Sequence, residues 1–267
     1  RVNPASGEIT TIAQGLPPAL LPVGGAIDVA FLDGVAYVLV TLVGAPFGSG
    51  VDGIYRVDGD GQFTVVADIG AFAASHPPQT TFALPQGVQY SIEAHRGGFL
   101  VADGHHNRIL RVELDGSITV AHAFGNVVPT GLETWGDTVY VARAGAIPHL
   151  PEEGRILAIE SRSGEVSEVA SGAPLLVDVE RGRGRTLFGL AQGHWSPGQM
   201  DGTPADPDTG SLVRVNDQGG FDVVATGLDR PTSLEVIGND AYVITLSGTV
   251  LRVPDIASAP YGASSGP

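Results

Sequence analysis

The chain has 267 residues, with 29 acidic against 14 basic side chains and a net charge of −15. That balance argues against nucleic acid and anionic membrane as partners, since both require a basic face. Cysteine is absent, which excludes disulfides, thiolate catalysis and zinc–thiolate sites; no apolar run reaches membrane-spanning length, and the chain accommodates one domain rather than two with linkers.

In chain order one phrase keeps returning. RVNPASGEITTIA opens at Arg1, IYRVDGDGQFTVVA follows at Ile54, RILRVELDGSITVA at Arg108 and RILAIESRSGEVSEVA at Arg155. SLVRVNDQGGFDVVA begins at Ser211 and TVLRVPDI at Thr249. Each copy alternates apolar and polar residues, so successive side chains point to opposite faces, as in a strand. Asp-Gly, Ser-Gly or Gly-Gly comes next, residues that tolerate tight-turn backbone, and then a second β-branched run. Each copy therefore reads as a hairpin.

Most copies have another pair of runs upstream, such as Ser91–Ala94 with Gly98–Ala102, or Gly131–Thr134 with Thr138–Val141. The unit is four short strands. Anchoring on Arg1, Arg56, Arg111, Ala158, Arg214 and Arg252 gives steps of about 40 to 55 residues, the period of propeller blades. A long β-sandwich predicts no such self-similarity. The fold class is all-β, a propeller of four-stranded blades over 1–256, with a flexible Ala/Ser/Gly/Pro tail over 257–267. One weak helical segment falls at Asp68–Ser75.

Six anchors suggest six blades, but the final one has three strand candidates: Ser233–Val236, Ala241–Thr245 and Thr249–Val253. Either Ile9–Ala13 supplies its fourth strand and closes five blades, or residues preceding Arg1 complete a sixth. Arg1 falls within a repeat phrase, so a removed leader and a secreted or periplasmic location are expected.

The first strands of the blades carry two carboxylate columns. One offers Asp28 and Asp178, the other Glu93, Glu133, Glu180 and Glu235. In a propeller these strands line a channel, where gathered carboxylates require a cation, protons or arginine partners. A hard cation, Ca²⁺ before others, is one expectation, with Asp28, Glu93, Glu133, Asp178 and Glu235 as ligands. The other is that each Glu caps backbone or pairs with Arg.

Connections between second and third strands collect unusual side chains: Asp103, His105, His106 and Asn107; Arg143 and His149; Gln192, His194 and Trp195. Fourth-to-first connections add His76 and Asn126. Histidine is suited to acid–base work near neutral pH. His105 and His106 are the first catalytic candidates, followed by His149 and His194. Asp103, Asn107, Asn126, Arg143, Gln192 and Trp195 are candidates for binding a substrate. Single loop histidines are also commonly solvated or locally bonded. His95 and His122 read as structural. No GxSxG elbow, phosphate loop or HExxH spacing occurs. Ser196–Gly210 is a long loop that is either a lid or disordered.

The succession VVADIGAF, FLVADGHHNRILRVELDGSITV, VPTGLETWGDTVYVARAG and GRILAIESRSGEVSEVASG resembles the ScyD/ScyE-type secreted β-propellers named for scytonemin gene clusters. It lies within the wider NHL and gluconolactonase-like propellers. The resemblance implies a bacterial exported protein and two further strands before Arg1, so six blades are expected. The wider group implies Ca²⁺-dependent hydrolysis of lactones or organophosphates through one Glu, two Asn and one Asp. Glu93 or Glu133 and Asp178 match that pattern; the Asn pair does not occur in the first strands.

Two functional readings follow. The first is a metal-assisted hydrolase of a small ester, lactone or phosphotriester. The second is a non-catalytic propeller that binds a small molecule or protein partner through Trp195, Phe47 and Tyr90.

Overall fold

The computed structural model describes residues 1–21 and 23–257. The chain forms two compact units, Arg1–Ala123 and Phe124–Pro267. All but the first residue of the expected tail lies outside the described residues.

In the first unit, β1 (Gly25–Leu32), β2 (Val35–Thr41), β3 (Gly53–Gly59) and β4 (Gln62–Asp68) form one antiparallel sheet in sequential order. Helix α1 (Ile69–Ser75) follows, where the weak helical segment was read. Asp68 caps it by accepting the Ala71 N–H at 2.8 Å. The second sheet is β5 (Gln89–His95), β6 (Gly98–Asp103), β7 (Arg108–Val112) and β8 (Ile118–Ala123).

The second unit holds β9 (Pro129–Trp135), β10 (Thr138–Arg143), β11 (Arg155–Glu160) and β12 (Val166–Ser171). Next come β13 (Leu176–Arg181), β14 (Leu187–Ala191), β15 (Gly210–Val215) and β16 (Phe221–Leu228). Its last sheet, among the described residues, is three-stranded: β17 (Pro231–Ile237), β18 (Asp240–Thr245) and β19 (Val250–Val253).

The described residues thus build five sheets, which corrects the expectation of six. Among the described residues ahead of β1 there is only the isolated Val2–Ile9 bridge, and Pro17 and Pro18 lack the N–H a ladder needs. Residues 9–13 form no strand of the last sheet either. The segment after them lies against the first sheet instead. Leu16 packs on the cluster of Val38, Val40, Val43 and Tyr55, and the Gln14 amide donates to Asp60 at 2.7 Å.

Within each unit the cores sit between neighbouring sheets. Leu39 and Ile54 of the first sheet meet Phe99, Val101 and Leu110 of the second, with the Tyr37 and Phe99 rings 4.7 Å apart. Val179 and Leu187 join Ala142 and Ile156, while Phe188, Leu190 and Leu212 join Leu234 and Val243. Strands buried on both faces explain why β6 and β14 are almost uninterrupted apolar runs.

All five sheets share a register shift near the start of the first strand, at 26/28, 89/91, 176/178 and 231/233, and opposite 129–132. A bulge of this kind bends the strand and re-aims the next side chain. After two of these bulges stands an aspartate, and both do the same thing. Asp28 accepts the N–H of Val29 at 2.8 Å and that of Ile92, on the neighbouring first strand, at 2.8 Å. Asp178 accepts from Val179 at 2.9 Å and from Leu234 on the neighbouring first strand at 2.7 Å. On the other side of Asp178, Gly131 leaves the room it needs: a Cβ there would stand 2.5 Å from the aspartate Cα.

Asp178→Ala removes two charge-assisted bonds and strands two backbone donors, so urea unfolding should show a loss of about 2–3 kcal/mol. Asp178→Asn retains one of the two acceptors and sets its NH₂ against the other N–H, so it should recover only part of that loss. Equal losses would show that the clamp is not what joins these sheets.

Candidate functional site

The second sheet's connection after β6 is a turn that leaves its polar side chains buried. Asp103 and Arg108 close it with an ion pair at 2.7 Å between side chains almost without exposure. Gln89 donates to the other Asp103 oxygen at 3.0 Å and accepts from Thr41 at 2.9 Å. A buried ion pair gains little net stability, but breaking it leaves a charge without a partner.

His106 is 1% exposed. Its Nε2 lies 2.9 Å from the Leu84 carbonyl, which can only accept, so Nε2 carries the hydrogen. Nδ1 is left to accept from Arg108 at 3.2 Å. His105 Nε2 accepts from the N–H groups of Ala83 and Leu84 at 3.0 and 3.1 Å. Asn107 donates to Thr80 at 3.2 Å, and Arg108 donates to the His76 carbonyl at 2.7 Å. The group expected to catalyse thus holds down the 76–88 segment. Both histidines have their free lone pairs engaged, and His106 is closed to solvent. His76 is bonded within its own helix end and stacked on Phe72 at 4.2 Å.

The carboxylate columns resolve differently from the cation expectation. Asp28 and Asp178 are the clamps described above. Burial, reinforced by Asp178, Glu133 and Glu235, pushes Glu180 up to about 11, and Glu180 shares a hydrogen bond with Glu133. Partial burial of the Glu235 carboxyl pushes it up as well. Among the described residues no three His, Asp or Glu side chains gather as a metal ion would require. A proton shared between Glu133 and Glu180 offsets part of the repulsion among these carboxylates.

In the second unit two connections meet at one end of the sheets. The 144–150 segment follows β10, and the 192–209 segment follows β14. The longer one is neither disordered nor loose. Asp206 accepts from Ser196 at 2.5 Å and from Gln199 at 2.7 Å, Trp195 Nε1 donates to Thr203 at 3.2 Å, and Gln192 accepts the Ala205 N–H at 2.9 Å. Ala205 packs with Ala144 and Leu175.

His149 stands edge-on to Trp195, ring centroids 6.2 Å apart. Its Nδ1 lies 2.9 Å from the Gly145 carbonyl and therefore donates, and the Ala144 backbone is a second hydrogen-bond partner of the ring. Burial lowers its pKa, which keeps the ring neutral near pH 7. Arg143, at the end of β10, has a buried Nε with no acceptor; burial first, then Arg155 opposite it, presses its pKa down. His194 and Asn126 are exposed, and Glu93 is half-buried in the first unit. Sequence reasoning missed Thr41, Gln89 and Asp52, whose burial depends on neighbouring strands. Asp52 accepts the Val43 and Gly44 N–H groups at 2.7 and 3.0 Å, and only the Asp-Gly at 52–53 hints at it.

No family model and no curated protein matches the chain. Solved structures do. The chain is similar to a nidogen/laminin complex structure at 16% identity and a TM-score of 0.60, covering 89% of this chain and 80% of that one. It is similar to a catalytically inactive histidine-to-alanine variant of virginiamycin B lyase from Staphylococcus aureus, with quinupristin, at 14% identity and a TM-score of 0.50, over 89% of this chain and 71% of that one. A streptogramin B lyase is similar at 13% identity and a TM-score of 0.51, over 90% and 72%. The fold is that of the β-propellers. At these identities the likeness extends no further than fold.

Two pH effects follow. Burial lowers the folded pKa of His105 below the ordinary 6.5. The unfolded chain therefore binds the extra proton first, and the latch weakens as pH falls below about 6.5. Hydrogen-exchange protection of the Ala83 and Leu84 amides should drop there, and the drop should vanish in His105→Ala. Glu180 is shifted upward, so the folded state holds a proton the unfolded chain releases, and stability declines as pH rises above about 4.5. Glu180→Gln should flatten that decline in unfolding measured from pH 5 to 9.

Proposed function

We propose that the protein takes a small molecule against the His149–Trp195 end of the second unit and hydrolyses an ester or lactone there. The observation carrying this reading is the His149 ring itself. Its tautomer is set by a backbone carbonyl, its position by an indole edge, and burial favours the neutral ring. That is the arrangement a general base requires. His149 Nε2 would take a proton from water as the oxygen adds to the acyl carbon, and return it to the departing alkoxide. Arg143, at the end of β10 where the 144–150 connection begins, would bring a guanidinium to the acyl oxygen. The phrases shared with the ScyD/ScyE-type propellers support an exported protein of this kind.

Binding without turnover is the second reading. Met200, 76% exposed, with Ile147 and Leu150, puts apolar surface on the same two connections.

A panel of esters, lactones and phosphotriesters separates the two. Under the first reading His149→Gln lowers kcat/KM by roughly 10²–10⁴-fold with an unchanged melting temperature, and excess chelator has no effect. The active limb of the pH profile extends below about 6.5, matching the lowered histidine. No turnover by the wild type across the panel, with a ligand that perturbs the Trp195 indole, establishes the second. Loss of activity in chelator restored by Ca²⁺ would overturn the metal-free step.

A further inference from the structure

The opposite end of the second unit carries a feature the His149 site does not use. The sequence from Arg181 to Arg185 is RGRGR, which places three arginines in five residues of a chain whose net charge is −15. Several other arginines sit against carboxylates: Arg56 on Asp58, Arg111 on Glu113, Arg214 on Asp222, Arg252 on Asp240. Among the described residues no carboxylate pairs with Arg181, Arg183 or Arg185. The nearest acids on the adjoining strands are otherwise engaged. Asp137 holds Arg162 at 2.8 Å, and Glu180 is bonded to Glu133 and accepts the Arg181 backbone N–H at 3.3 Å. A protonated Glu180 is no counter-ion.

Two of the three guanidiniums instead lie over one indole. The Arg181 and Arg185 guanidinium carbons are 4.1 and 4.7 Å from the centre of the Trp135 ring, and Trp135 is 37% exposed. Stacking occupies the faces of the guanidiniums and leaves their N–H edges free. Two like charges held against one ring repel each other, and the indole quadrupole offsets only part of that. The Arg181 Nε is buried and has no acceptor at all.

The turn is built to hold this arrangement. The β13–β14 connection makes a short 3₁₀ turn over Arg183–Arg185, with Gly184 at φ 64°. Gly182 lies against Phe188, whose ring carbon would stand 2.4 Å from any Cβ placed there. Trp135 arrives from the β9–β10 turn of the neighbouring sheet.

We propose that Trp135 with Arg181, Arg183 and Arg185 is a recognition site for a compact oxyanion, a sulfate or phosphate group carried on a small ligand. Guanidinium edges match such groups in paired hydrogen bonds. The rest of the chain argues for compactness. With screening over about 8 Å at physiological ionic strength, a long polyanion would leave this patch and meet a strongly acidic surface. A single sulfate or phosphate group would not.

The test is titration of the ¹⁵N-labelled protein with sodium sulfate, sodium phosphate and, at matched ionic strength, sodium chloride. The two indole Nε1–H signals are read, with Trp135 assigned from Trp135→Phe. The expected result is a saturable shift of the Trp135 signal with sulfate or phosphate, none with chloride, and a still Trp195 signal. Arg183→Gln with Arg185→Gln should weaken the affinity at least tenfold; both side chains are exposed, so the remaining spectrum should be unchanged. Arg185→Lys should weaken it too, since lysine keeps the charge and loses the fork. Sulfate acting alone or phosphate acting alone identifies which group the site takes. Shifts equal to those in chloride would overturn the proposal, as would wild-type affinity in the double variant. A heparin-like polysulfate binding far more tightly per sulfate than the free ion would overturn the compact ligand.

Discussion

The arrangement of each unit depends on how a first strand is tied to the next first strand. The tie is a carboxylate placed just after a bulge, accepting one N–H from its own strand and one from its neighbour. Backbone donors beside a register shift have no ladder partner, and a buried donor without a partner is costly. Asp28 and Asp178 answer both donors with one side chain. Apolar interlock between sheets, such as Phe99 against Tyr37, supplies most of the burial, but it is not directional. The carboxylate sets the angle and register at which those faces meet.

That duty determines what the other carboxylates do. Burial first, and then the neighbouring Asp178, Glu133 and Glu235, push Glu180 toward its neutral form, and the proton it keeps is shared with Glu133. Asp178 thus bonds backbone N–H groups while Glu180 and Glu133 share a hydrogen bond. The same neutralisation leaves Arg181 without a counter-ion and free to stack on Trp135. Clamp, shared proton and arginine cluster form one electrostatic sequence along β13.

The histidines show a comparable division. His105 and His106 are bonded on every nitrogen with a free lone pair, and they tie the 76–88 segment to the β6–β7 turn. His149 is held by backbone of its own connection and by the Trp195 edge, with no long segment bonded over it. Sequence position does not separate these cases, because each histidine sits in a second-to-third-strand connection. The difference lies in whether a long segment folds back over the turn. The 76–88 segment does so, whereas the 192–209 segment braces itself and stops beside His149.

The four-strand unit, the turns inside the repeat phrases and the short helical segment ending at Ser75 were legible in the sequence, because alternation and Asp-Gly turns are local signals. The sequence also identified Asp28 and Asp178 as unlike their neighbours. The number of sheets was decided by tertiary structure: the RVNPASGEITTIA phrase has hairpin grammar, but the prolines that follow it carry the chain onto the first sheet rather than into a new one. The roles of Glu133, Glu180, His105 and His106 were likewise decided in three dimensions. Protonation and hydrogen bonding depend on what lies across a strand or under a loop, tens of residues away, and no spacing along the chain encodes that distance. The repeat of arginine in RGRGR was legible as letters, but only the arrival of Trp135 from another sheet turned it into a site.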